Sequence, residues 1–355
     1  MNGTEFPLVY GKDVTSECDE TQARSCSPGC LDRKLVSGKI VLCDSNKGIK
    51  LALVAGAAGT IVRSGDIYDV SFVVPLPASA LLIGDLKLVK DYINITNAAK
   101  AFISTSESIK NTHAPLVASF SSKGPNPIIP DILKPDITAP GVEILAAYSP
   151  VGSVLSFSSD KGSANYSILS GTSMSCPHAA GAAAYVKSVH PDWSPSAIKS
   201  AIMTTAWPMY PTKHKDAEFS YGAGHLNPIN ATNPVSIRKL FNNNSINCPR
   251  QVDATINDFN YPSITLQVKK GVPFSASFTR TVTNVGAANS TYTARTNKPT
   301  NFNIMVEPGT LSFKQLNEKK SFVVTVKGDR QTSMVSASLV WSDGIHSVRS
   351  PIVLY

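Results

Sequence analysis

Ser173 stands in SGTSMSCPH, residues 170 to 178, where its hydroxyl could attack a carbonyl or cap a helix. A serine hydroxyl is a weak nucleophile at neutral pH. It needs a base within hydrogen-bond reach, a group that orients the base, and donors for the developing oxyanion. A helix N-terminus supplies the donors, because its first amides are unpaired and the helix dipole favours negative charge there. Gly171, two residues earlier, leaves room for a substrate backbone. The plainer alternative is an ordinary N-cap, a common use of serine.

Three segments would have to position this turn. From residue 8 to about 112, β-branched runs such as KLVSGKIVLCD alternate with GIKLALVAGAAG and DLKLVKDYINIT, which predicts a compact α/β module. From His113 to Asn233 the texture changes. APLVASFSSKGPN reads as a strand followed by a turn, and LKPDITAPGVEILAAY as a second apolar segment broken by prolines. A first helix is expected from near Ser173 to His190. Its residues are mostly Ala, Gly and Ser, as in a helix packed closely against neighbours. A second follows with Ser194 as N-cap, Pro195 at its first position, and Ala197, Ile198, Ala201 and Ile202 on one face. Residues 234 to 258 are polar and aperiodic and read as a linker. From 259 to 355 many short alternating strands between Gly, Pro and Asn turns predict a β-sandwich.

Composition narrows the function classes. Apolar residues make up 42% of 355 and charged residues 16%, a globular profile with ample core material. The net charge of +8 is spread along the chain without a basic block or interleaved aromatics, which argues against nucleic-acid binding. No apolar run is long enough to span a membrane. No histidine lies near Cys18, Cys26, Cys30 and Cys43, so two disulfides are expected there rather than a metal site, with three connectivities open. No cofactor is expected. Sequons at Asn2, Asn94, Asn165, Asn230, Asn243 and Asn289 fit a secreted glycoprotein. MNGTEFPLVYGKD, however, has no apolar core of a signal peptide. The expectation is that an N-terminal part of a longer protein precedes this sequence.

GTSMSCPHAAGAAAYVKSVHPDWSP resembles the nucleophile region of subtilisin-like serine proteases (peptidase family S8), whose pattern is G-T-S-M-[AS]-x-P-H. ASFSSKGPNPIIPDILKPDITAPGVEILAAYSP, SAIKSAIMTTA and YGAGHLNP are similar to the plant cucumisin-type subtilases. That resemblance covers essentially the whole chain. It implies a protease-associated (PA) α/β domain at 1–112, the C-terminal part of the catalytic α/β domain at 113–233, and a fibronectin type III-like sandwich at 259–355. It implies Ser173 as the nucleophile with its own N–H in the oxyanion hole, protein or peptide substrates, self-association through the PA domain, and an extracellular, cell-wall setting.

The resemblance also marks what is missing. The family's aspartate and histidine segments (Asp-Thr/Ser-Gly and His-Gly-Thr-His) and its oxyanion asparagine have no counterpart in the sequence. His178 lies five residues after Ser173, roughly 140° round the helix, and does not face the hydroxyl. His113, His190, His214, His225 and His346 carry no catalytic signature, and Asp136 reads as a structural loop carboxylate. After YGAGHLNPINATNP the family's Gly-Leu-Val-Tyr-Asp type segment is replaced by VSIRKLFNNN, which would leave Cys248 an odd thiol. Cys176 is expected to be free and buried behind the nucleophile. The chain therefore reads as a nucleophile-bearing fragment, inactive alone. The alternative is a non-catalytic interaction fragment that uses its PA and sandwich domains.

Overall fold

The structure, a computed structural model, describes residues 1–355 apart from 2, 16, 66–69, 71–73, 108–109, 153–162, 211–212, 235, 238–255, 300–301 and 330–332. The chain forms two compact units. One comprises Met1–Thr112 with Val142–Ser170, the other His113–Gly141 with Gly171–Tyr355.

The first unit is built on β1 (Phe6–Tyr10), followed by α1 (Glu20–Arg24), α2 (Arg33–Val36), β2 (Ile40–Cys43), α3 (Gly48–Val54), β3 (Gly59–Arg63), β4 (Ala78–Leu81), α4 (Ile83–Ile95) and β5 (Lys100–Ala101). The sheet order is β4-β3-β2-β1-β5. Its first four strands are parallel, and β5 joins antiparallel to β1. The unbroken apolar run of β2 suits a strand covered on both faces. Ile40 and Leu42 meet Leu8, Ile61 and Leu86 on one side. Val41 and Cys43 meet Val14, Val36 and Val62 on the other. Disulfides Cys18–Cys30 and Cys26–Cys43 fasten the loops on that second side, and Cys26 and Cys43 are fully buried. A hairpin of β6 (Ile144–Ala147) and β7 (Tyr166–Leu169) also groups with this unit.

The second unit contains α5 (Thr172–Val189), α6 (Pro195–Thr204), α7 (Glu218–Tyr221) and α8 (Pro228–Ala231). Its strands are β8 (Ser236–Ile237), β9 (Ile264–Leu266), β10 (Phe274–Asn284), β11 (Ser290–Asn297), β12 (Phe302–Glu307), β13 (Thr310–Phe313), β14 (Lys319–Gly328), β15 (Val335–Ser342) and β16 (Ser347–Leu354). They form two sheets, β12-β14-β10-β8 and β13-β11-β15-β16-β9. Alternation decides which side chains go inside. In β14, Phe322, Val324 and Val326 are buried while their neighbours are not. Phe322 meets Trp341 edge to face, ring centroids 5.0 Å apart. The helical segments share cores with the sandwich: Leu133 and Phe219 pack with Val353, and Met203 and Ala223 with Tyr261.

One sequence expectation is not met. Residues 114–121 form no strand. Pro115 contributes no N–H, and no described strand pairs with the segment. The small-residue helix α5 leaves exposed the face that close packing would cover, as the absence of the catalytic domain's other half from the sequence leads one to expect. Only Ala182 and Val186 are buried, against Ile198, Ile202 and Leu226, while Cys176, Pro177, Gly181, Ala184 and Tyr185 are exposed. By contrast α6 has the expected start, with Ser194 Oγ accepting from the Ala197 amide at 3.3 Å. Ser194→Ala is expected to cost about 1 kcal/mol in urea unfolding. An unchanged midpoint would show that Pro195 and the buried face fix this helix start unaided.

Candidate active site

Ser173 is the second residue of the 18-residue helix α5 and is exposed. The turn that carries it is held by the preceding segment of the same unit. The Gly171 amide donates to the Gly141 carbonyl at 2.8 Å. Ser175 Oγ donates to the Ala139 carbonyl at 2.9 Å. A methyl group on Gly141 would stand 2.2 Å from Ser175 Oγ and 2.9 Å from the Gly171 carbonyl oxygen. Only glycine lets the two backbones approach this closely. Further along, Pro177 lies inside the helix and has no N–H, so the Ser173 carbonyl lacks its usual donor four residues on. The first-turn amides and the exposed hydroxyl thus share a fixed scaffold.

The histidines are otherwise engaged. His178 Nδ1 donates to the Met174 carbonyl at 2.8 Å, which ties the imidazole nearest in sequence to its own helix. His190 Nε2 donates to the Thr232 carbonyl at 2.6 Å, and its ring stacks on Trp193. His225 bridges Thr138 and Trp207 through its backbone. His214 packs edge-on to Tyr221; burial, with the charges of Lys123 and Lys213, pushes its imidazole pKa down. His346 Nδ1 lies 3.0 Å from Asp343 in the β15–β16 turn. The backbone carbonyl of His113 accepts from Lys213 Nζ at 3.5 Å.

Asp136 sits in a cluster that sequence reading missed. Its Oδ1 accepts from Lys134 Nζ at 2.8 Å and from the Tyr261 hydroxyl, and its Oδ2 lies 2.7 Å from Lys199 Nζ. Burial pushes this carboxyl up, but hydrogen bonds from Lys134, Lys199 and Tyr261 outweigh it and hold the pKa below the usual carboxylate value. Burial and the neighbouring carboxylate push the Tyr261 phenol up, so it stays protonated as a donor. A second unanticipated cluster joins Glu218 of α7 to the sandwich. Its carboxylate is 1% exposed, accepts from Ser336 Oγ, and lies 3.6 Å from Arg349 Nη2. The only available signal for either cluster was a charged residue in an apolar context, as Lys199 is within SAIKSAIM.

Cys176 is free, as expected, but exposed rather than buried, because nothing described covers that face of α5. Asn94, Asn165, Asn230 and Asn289 are all exposed. Asn2, Asn243 and Cys248 lie outside the described residues, as does most of the 234–258 linker. Among the described residues no group of His, Cys, Asp or Glu could hold a metal ion, and no helix is long and apolar enough to cross a membrane.

Comparison with known sequences settles the lineage. The pattern of the Subtilase family matches residues 50–225, which include the turn of Ser173. A fibronectin type-III domain pattern matches residues 258–354, the sandwich. The chain belongs to the subtilase family. It is 49% identical to subtilisin-like protease SBT4.3 of Arabidopsis thaliana over its whole length, covering 52% of that protein. To SBT4.4 of the same plant it is again 49% identical, with 100% of this chain and 52% of the relative aligned. This subtilase chain therefore spans about half the length of the curated relatives it matches. Among solved structures, the VesB protease of Vibrio cholerae is 24% identical over 26% of this chain and 29% of that one, at a TM-score of 0.19 too low to add to the assignment.

Proposed function

We propose that this chain carries the nucleophile of a serine-type endopeptidase, which cleaves protein substrates through an acyl-enzyme on Ser173. Ser173 Oγ would attack the scissile carbonyl, and its own backbone N–H would be one donor to the oxyanion. The observation that carries this reading is an exposed serine in the first turn of α5, fixed from behind by the Ala139 and Gly141 carbonyls. In this reading residues 1–112 are a PA domain, 113–233 the C-terminal part of the catalytic domain, 234–258 a linker and 259–355 the fibronectin-like domain. The setting is extracellular, with glycans on the exposed sequons and self-association through the PA domain.

The base and its orienting carboxylate are not among these residues, so the 355-residue chain is inactive by itself. His178 supports this, since its Nδ1 is spent on the Met174 carbonyl. Triad members act as a unit, and loss of the base costs on the order of a million-fold in rate. A fluorophosphonate probe tests the reading, because labelling of serine requires a working base. The chain alone should stay unlabelled. Mixed with a polypeptide carrying the family's aspartate and histidine segments, it should label at Ser173, and Ser173→Ala should abolish the signal. Failure to label even in the mixture would favour the second reading, a non-catalytic fragment that binds protein through its PA and sandwich domains.

A further inference from the structure

The sandwich reaches the turn of Ser173 through a continuous set of bonds within the second unit. Its first residues are firmly anchored. Asn260 pairs in both directions with the backbone of Thr281, at 3.0 and 2.8 Å, as a neighbouring strand would. The guanidinium of Arg280 donates to the carbonyls of Asn257 and Ser263 on either side. Tyr261, between these anchors, is buried and donates its hydroxyl to Asp136. Lys199 Nζ lies 4.9 Å from the centroid of the Tyr261 ring, so ring, carboxylate and ammonium form one group.

From Asp136 the chain runs straight to the nucleophile's turn. The Ala223 amide donates to the Asp136 carbonyl at 3.0 Å, and Thr138 exchanges bonds with Gly224 and Leu226 at 2.9 and 2.8 Å. Three residues beyond Thr138, the Ala139–Gly141 stretch ends with its carbonyls on Ser175 Oγ and the Gly171 amide. Beyond Asp136 every link but the Ser175 hydroxyl joins backbone to backbone, at 2.8 to 3.0 Å.

We propose that Tyr261 is a positioning residue for Ser173, acting through Asp136 and the 136–141 segment to hold the first turn of α5. This rests on the reading of Ser173 as the nucleophile. The sandwich then does more than add bulk: it supplies the hydroxyl that sets where the segment under the oxyanion donors lies. Asp136 is a positioning residue in the same sense, and neither group touches substrate.

The test places a titratable probe at the nucleophile. In a chain with Cys176→Ala and Cys248→Ala, Ser173→Cys puts a single free thiol in the first turn of α5. Amides there stabilise a thiolate, so its pKa should fall below the ordinary value of about 8.5. The readout is the pH dependence of alkylation by iodoacetamide. Adding Tyr261→Phe, which keeps the ring and removes only the hydroxyl, should raise that pKa and slow alkylation at pH 7 about threefold to tenfold. Ser336→Ala cuts a different link between sandwich and helices, the one to Glu218, and should leave the rate unchanged. A depressed pKa that Tyr261→Phe does not move overturns the proposal and spares the nucleophile. Equal slowing by Ser336→Ala overturns it in favour of general loosening. An ordinary thiol before either change overturns the nucleophile reading and this proposal together. Amide exchange in β14 verifies that each variant retains its sandwich.

Discussion

Asp136→Asn is expected to cost the second unit about 2 kcal/mol at pH 7, a cost that shrinks as pH falls below 3.8. The substitution keeps the shape and one acceptor oxygen but leaves two ammonium groups, Lys134 and Lys199, without their counter-charge. Truncating one partner of a buried pair costs about 3–5 kcal/mol, and the partial exposure of both lysines lowers that figure. The pH dependence follows from linkage. The folded-state pKa of Asp136 is depressed by Lys134, Lys199 and Tyr261 despite burial. Its contribution is therefore full above the ordinary carboxylate value of 3.8 and is lost as pH falls through the lower folded value. Lys199, lowered by burial against the pull of Asp136, remains a cation throughout this acid range. Urea unfolding of both proteins at pH 7 and at a series of values below 3.8 measures the difference. Equal midpoints at pH 7 would mean that desolvation of the three charges cancels their attraction.

The local features of this fold were legible because they are written in consecutive residues. Ser194-Pro195 ahead of an apolar stripe announces α6, and the alternation of SFVVTVKG announces β14. Ser173 could be singled out because a whole motif surrounds it. What stayed hidden depends on residues far apart. Tyr261 meets Asp136 across 125 positions, and neither residue carries a local mark of the other. Disulfide pairing was open for the same reason: spacing admits three connectivities, and only the packing of β2 against the α1 loop brings Cys26 to Cys43. The misread strand at 114–121 failed for want of a neighbour, since a β-rich stretch needs a ladder partner that sequence does not reveal. Cys176 failed likewise, because burial of a helix face is decided by what lies opposite.

Gly222→Ala is expected to destabilise the second unit by about 3 kcal/mol, the larger of these two effects. Two costs combine there. Gly222 has φ +65°, a left-handed conformation that costs an L side chain about 1 kcal/mol. Its added methyl would also stand 2.5 Å from the Asp136 carbonyl carbon and from the Pro135 carbonyl oxygen. Those are backbone atoms, unable to rotate away, so overpacking adds about 1–3 kcal/mol. Gly271→Ala separates the two costs. Gly271 has φ +73° but nothing within 4 Å of its added methyl, so that variant should lose only about 1 kcal/mol. With about 2–4 °C of melting temperature per kcal/mol for a unit of this size, Gly222→Ala should melt about 6–12 °C lower and Gly271→Ala about 2–4 °C lower. Equal shifts would show that the 135–136 backbone yields without cost. Unequal shifts would show that the segment leading to the turn of Ser173 is held tightly against the backbone at Gly222.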